Sequence, residues 1–549
     1  MFRSLGSALV PCLLLSCALT TPTAAVDRTP YALGGFHRDV SSSSEEAQLW
    51  FDRGLALSYA FNHEEAIRCF ARAAEADPGC AMAYWGSAYA SGPNINNVEM
   101  DEAAVARAWE NVNKAQELIG GASPVEAALI RALATRYVET PGEDRSELER
   151  AYAAAMREVY DEFGKDPDVA ALFAESLMLL RPWYQWTPEG DPTEETPEIR
   201  KVLETGMAAT PEHPALCHLY IHAMEASPEP SLALPAANRL RESMPGAGHL
   251  VHMPSHIDVL VGDYEASIIA NQKALEADAE YVKSAGVMNF YTLYRIHNFH
   301  FIVYSAMFDA QSELAMTTAR ELVRQIPAEM LEEMPDFVEA FVPTPLHVLV
   351  RFGRWEEILA EPAPPEDYYV TRAVRHYARG LAFAATGRVE EAEAEREAFA
   401  VAQALVPETR ILFNNTGSDI LLVAEAMLAG EVEYRRGNLD AAFRHLREAV
   451  RRDDALNYDE PWGWMQPARH ALGALLLEQG RVEEAGEVFR ADLRRHPKNA
   501  WALHGLEECL RRSGKESDAD SVRAQLGAAT VRADVRIKAS CYCRLDALE

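Results

Sequence analysis

A spacing of 34 residues recurs along this chain of 549. Counting from Ala47, the residues Trp50, Gly54, Leu57, Ala66, Phe70, Ala73 and Pro78 fall at positions 4, 8, 11, 20, 24, 27 and 32. From Gln466 the same register holds Gly473, Gly480, Ala485, Phe489 and Pro497, and Ala500 starts the next unit one period later, with Gly514 and Ala519. Units from Glu339, Ala373 and Val423 keep the marker glycines and alanines: Gly353; then Gly380, Gly387 and Ala392; then Gly430, Gly437, Ala442 and Ala449. A period of this length means a stack of small supersecondary units, each burying its apolar stripe against its neighbours, in place of the three or four separate domains that the length alone suggests.

The small residues at positions 8, 20 and 27 and the Pro at 32 resemble the tetratricopeptide repeat, in which two helices, A and B, pack closely within each unit. The resemblance implies an all-α, right-handed superhelical solenoid of about twelve helix pairs, with helix A lining the concave groove. More divergent units start at Pro214, Gly248 and Ile296. The step from Gly248 to Ile296 is 48 residues and requires an insertion. Helix pairs with lengthened loops are expected before residue 214, one loop carrying Trp183, Trp186 and an acidic, Pro-rich stretch to Pro197. The division expected is a targeting segment 1–25, an extension 26–46, repeats with long loops over 47–213, His-rich repeats over 214–329, further repeats over 330–533 and a tail 534–549.

Arg3 and the apolar run Leu5–Leu19, followed by Thr23-Ala24-Ala25, read as a cleavable export signal. Leu14-Leu15-Ser16-Cys17 also resembles a lipoprotein box, so soluble export (periplasmic or secreted) and lipid anchoring through Cys17 both stay open. No later run is apolar enough to span a bilayer. The 84 acidic and 52 basic side chains leave a formal charge of −32. That excludes general nucleic-acid binding, which needs clustered Lys and Arg to displace counterions. Cys541-Tyr542-Cys543 would supply two thiolate ligands or serve separate structural roles, since a bridge between such near neighbours is strained.

Seven of the 16 histidines lie between residues 218 and 300. His218 and His222 occupy positions 5 and 9 of the unit from Pro214; His249, His252 and His256 occupy 2, 5 and 9 of the unit from Gly248; His297 and His300 occupy 2 and 5 of the unit from Ile296. Residues three and four apart share one helix face. Helix axes about 8–10 Å apart let imidazoles of successive A helices meet. In tetratricopeptide-repeat proteins these positions are the ligand-facing ones, so the resemblance implies that all seven look into the groove. Convergent neutral imidazoles suit a transition metal, with Cu or Zn favoured by the nitrogen-rich donor set. Seven exceed one tetrahedral shell, and two tri-imidazole sites would use six. Glu225, Asp258 and Tyr304 are the neighbours expected to orient the imidazoles, and Glu175 is placed to reach the same cavity. The alternative is a scaffold that holds a protein or peptide in the groove without metal. If the chain is an enzyme, it would be a copper- or zinc-dependent oxidoreductase or hydrolase. No catalytic residue stands out: there is no Walker A, dinucleotide fingerprint or nucleophile elbow, and Asn62-His63-Glu64-Glu65 lacks the second His of a zinc-protease motif at Ile67.

Overall fold

The computed structural model describes residues 31–545 and 547, so the export segment and Cys17 lie outside the described residues. Twelve helix pairs start at Glu45, Ala81, Pro124, Pro167, Pro214, Gly248, Tyr291, Thr344, Tyr369, Gly417, Ala468 and Ala500. They stack as the expected superhelix. Besides them, the described residues hold two short helices, Ala328–Glu333 and Pro335–Val338, three 3-10 turns and one antiparallel strand pair, Ile411–Leu412 with Asn415–Thr416. None of the described helices is long and apolar enough to cross a membrane.

The helices that position the site are α1 (Glu45–Tyr59), α2 (His63–Ala76), α3 (Pro167–Met178), α4 (Pro214–Glu225), α5 (Gly248–His252), α6 (Pro254–Val261), α7 (Tyr264–Ala285), α8 (Tyr291–Phe308) and α9 (Thr344–Arg351). Close packing needs small residues: a Cβ on Gly54, in the same unit, or on Gly86, in the next one, would lie under 3 Å from the Phe70 ring. Pro254 interrupts the helix-A path between α5 and α6, because its ring nitrogen has no hydrogen to donate. Of the 14 residues by which the 48-residue step exceeds the period, α7 supplies eight, running for 22 residues where the corresponding helix Ser312–Gln325 has 14, and α8 begins at Tyr291, five residues before Ile296.

The superhelix winds tightly enough to close on itself. Trp501 donates Nε1–H to the Met307 carbonyl (2.7 Å) and Tyr264 donates its hydroxyl to the Pro497 carbonyl (3.0 Å). Arg532 pairs with Asp309 and Glu265, and the Asp534 carboxylate accepts from the backbone N–H of Ser312 and Glu313. Gly262 (φ +74°) fits because a Cβ there would stand 2.2 Å from the Pro497 carbonyl oxygen. At the other end, Arg38 enters a buried network on Asp168 of α3 (2.6 Å). The apolar core forms three clusters, one ending at Tyr294, one running from Ile296 onward and a third joining α7 and α8 to Trp501 across the closure, and the histidines sit where the first two meet. The concave face is therefore an enclosed interior, not an open trough.

Cys541 and Cys543 form a disulfide, whereas Cys69, Cys80, Cys217 and Cys509 are buried free thiols.

Candidate metal centre

All seven histidines are buried, the most exposed being His297 at 9%. Six of them fall into two triads. His218 and His222 of α4 meet His249 of α5, while His252 of α5 and His256 of α6 meet His297 of α8; in each triad the candidate ligand atoms lie within 4.8 Å of one another. The triads repeat one motif. Each uses positions 5 and 9 of one unit and position 2 of the next, so that the 34-residue shift carries His218 onto His252 and His222 onto His256. A third turn of the motif would use His300, residue 304 and the next helix A. There Tyr304 replaces the position-9 histidine, and His300 packs beside Phe341 (5.3 Å between ring centroids), outside both triads.

Ring orientation within the triads is uniform. The Nε2 atoms of His218 and His222 face each other at 3.1 Å, and those of His252 and His256 at 2.7 Å. Their Nδ1 atoms face acceptors: the Tyr59 carbonyl from His218 (2.8 Å), Glu225 Oε1 from His222 (2.9 Å), Asn271 Oδ1 from His252 (2.7 Å) and Glu225 Oε2 from His256 (2.8 Å). An Nδ1–H spent on such an acceptor leaves a lone pair on Nε2. For His218 and His222 this sets lone pair against lone pair. Burial drives the His218 pKa down to about 3 and that of His222 well below its ordinary value, so neither ring carries a second proton. A cation relieves the repulsion. Two nitrogens bound to one ion at about 2.0–2.1 Å stand roughly 3 Å apart, the spacing found here. Both ring nitrogens of His249, and Nδ1 of His297, have no hydrogen-bond partner among the described residues.

Glu225 sits between the triads, 2% exposed, and holds one histidine from each. A second carboxylate comes from far along the chain: Glu460, in the loop before the helix Ala468–Glu478, also pairs with His256 Nδ1. Burial opposes charge on His256, but Glu460 and Glu225 outweigh it and raise its pKa to about 10, so a proton can bridge to His252. Burial, reinforced by Glu460, holds Glu225 well above the carboxylate range.

An aromatic collar closes the centre. Phe61, in the turn between α1 and α2, lies 4.5 Å from His218 and 5.3 Å from His249 between ring centroids. Trp183 meets His222 edge-on at 5.5 Å, and Phe413, in the turn between the two strands, meets His297 at 4.8 Å. All three have positive φ (53°, 65° and 48°), a conformation costing a bulky residue about 1–3 kcal/mol and concentrated at functional sites.

The other expected neighbours lie elsewhere. Asp258 is turned away from the histidines and chelated by Arg241 (2.5 and 2.9 Å). Tyr304 lies tilted against Phe308 (4.6 Å between ring centroids) and lines a neighbouring cavity away from the histidines. Glu175 accepts from Tyr89 within its own buried network. Tyr59, Asn271, Glu460 and the collar were not legible as site residues, except that the Trp183 loop stood out by composition.

A family model described as "Tetratricopeptide repeat" matches residues 47–80, the unit read from Ala47. Among solved structures, the human IFIT1 dimer with m7Gppp-AAAA is 11% identical, covering 90% of this chain and 92% of that one at a TM-score of 0.33. The APC/C hetero-tetramer Cut9-Hcn1 is 13% identical, covering 92% and 97% at a TM-score of 0.26. Likenesses this distant carry no functional information. No curated protein matches the chain.

Proposed function

We propose that this tetratricopeptide-repeat protein is an exported metalloprotein that holds two transition-metal ions, one in the triad His218, His222 and His249 and the other in His252, His256 and His297. A repeat scaffold of this kind supports protein binding in general, but a peptide in the concave groove would not reach imidazoles buried this deeply. The opposed Nε2 lone pairs of His218 and His222, with Nδ1 tied back on both rings, carry the reading. Orienting acceptors behind ligating histidines fix tautomer and raise basicity, and Tyr59, Glu225 and Asn271 supply them here. An all-nitrogen donor set fits Cu or Zn better than Mg or Ca.

Three protein ligands per ion leave a coordination position free, the pattern of reactive centres and not of closed structural ones. When bound, the ions would supply Lewis acidity or, as copper, one-electron redox capacity. The chain's own part is to exclude bulk water with Phe61, Trp183 and Phe413 and to orient the imidazoles through the Glu225–Glu460 pair. That pairing supports an oxidoreductase or hydrolase role over simple storage. The test is elemental analysis of the mature protein purified without a His tag, together with mass measurement of its N-terminus for export. Two Cu or Zn per chain are expected, falling to one in His252→Ala/His256→Ala. An unchanged content in that variant refutes the assignment.

A further inference from the structure

Beside the candidate metal centre lies a cavity of about 360 Å³ that opens to solvent. Five aromatic side chains line it, Trp183, Trp186, Tyr304, Tyr458 and Trp462, and four prolines add further apolar wall. The volume lies within the range for small-molecule sites and accommodates a compound of one or two rings. Trp183 belongs to both compartments, since the ring that lines the cavity also meets His222.

The ionisable groups of the lining are spent within the protein. Asp454 is held by Arg469 (2.5 and 2.6 Å) and by Arg495 (3.1 Å), which in turn lies 4.0 Å over the Trp462 ring. Asp459 accepts from the Asn415 side chain (3.1 Å) and from the backbone N–H groups of Asn414 and Glu460. Glu225 and Glu460 are turned onto His256. Burial keeps His496 neutral, lowering its pKa to about 4, and Arg494 stands exposed to solvent. The lining therefore encloses no unspent charge for an ionic ligand.

One polar group in it is unspent. Tyr304 is only 4% exposed, and its hydroxyl has no hydrogen-bond partner among the described residues. It stands at position 9, where the two preceding units carry His222 and His256, so the same register that brings imidazoles to the ion sites brings a phenol to the cavity. A buried hydroxyl without a partner is a group that a ligand can satisfy.

Flat aromatic walls favour a flat aromatic guest, and an enclosure without free charge penalises an ionic one, which would lose its hydration for nothing. We infer that this cavity binds a small uncharged phenol or aromatic alcohol, its ring against the aromatic wall and its hydroxyl on Tyr304. The inference goes beyond the metal reading and does not require it.

The test uses tyrosol, tyramine and 4-hydroxyphenylacetate, which share one phenol ring and differ in charge, and 4-(2-hydroxyethyl)cyclohexanol, which keeps the hydroxyls of tyrosol without the aromatic ring. Binding is followed by calorimetry and saturation-transfer NMR on the full mature protein, metal-free and zinc-loaded, with metal content measured in each sample. Tyrosol is expected to bind about tenfold tighter than either charged probe and several-fold tighter than the saturated one, in both samples. Tyr304→Phe should weaken tyrosol several-fold, and Trp462→Ala should weaken it more, both with the melting temperature and metal content checked against the parent. No saturable tyrosol binding, a charged or saturated probe that binds as tightly, or parental affinity in both folded variants would overturn the inference. A protein that holds no metal yet prefers tyrosol would sink the metal reading and leave this one standing.

Discussion

Replacing Glu225 by Gln tests the centre at the point where both triads depend on one side chain. The carboxylate is buried and accepts from His222 Nδ1 at 2.9 Å and His256 Nδ1 at 2.8 Å. Gln is nearly isosteric but offers one acceptor oxygen and one NH2 group. Whichever way it turns, one imidazole keeps its acceptor and the other finds a donor against its own N–H. A buried donor left without an acceptor costs about 1–3 kcal/mol, which the ring avoids by rotating out of its ligating orientation. Losing such an orienting contact weakens metal binding about 10–100-fold, or roughly 1.4–2.7 kcal/mol. One of the two ions should therefore bind 10–100-fold more weakly in Glu225→Gln; in Glu225→Ala the ion of His218, His222 and His249 should do so, while Glu460 still accepts from His256. The assay is competition against chelators of graded affinity, with bound metal counted by elemental mass spectrometry. Asp258→Asn is the control: its carboxylate lies two residues past His256 but is engaged by Arg241, so affinity should not move. Glu225→Gln with both ions retained at parental affinity would refute the shared-carboxylate reasoning.

His300→Ala should leave the metal content at the parental value, because that ring stands outside both triads; loss of an ion, measured in the same way, would contradict the placement. Truncation after residue 465 removes Trp501, Pro497 and Arg532, which pin the last repeats onto α7 and α8. The shortened chain should expose apolar surface and self-associate in size-exclusion chromatography; a monomeric product with unchanged melting would mean that those repeats form an independent body. Asp168 accepts from Arg38, Tyr59 and His213. Burial opposes its charge, but His213 and Arg38 outweigh it and hold the pKa at about 2. A depressed carboxylate contributes stability that is present above its unfolded value near 4 and lost as pH falls towards 2, here about 2–3 kcal/mol. Asp168→Asn should be less stable near neutrality by about that amount and should flatten this part of the acid dependence in denaturant titrations between pH 2 and 5; parallel parental and variant profiles would refute it.

The register of this chain determines a good deal without any tertiary information. Period 34 sets twelve helix pairs, and placing histidines at positions 2, 5 and 9 of adjacent units sets which rings meet, because neighbouring repeats pack in one fixed way. Six of the seven histidines are accounted for on that basis, and the seventh is left aside where the same register puts Tyr304. What the register leaves open is everything contributed across the superhelix. Glu460 reaches His256 from 204 residues along the chain, Phe61 covers His218 from 157 residues before it, and Phe413 meets His297 from 116 residues beyond. Asp258 is four residues before Gly262 and two past His256, yet Arg241 claims it. Local periodicity encodes the rotation from one repeat to the next, but the small rotations accumulate, and only their sum decides which distant loops arrive at the same place. That sum turned an expected open groove into an enclosed centre.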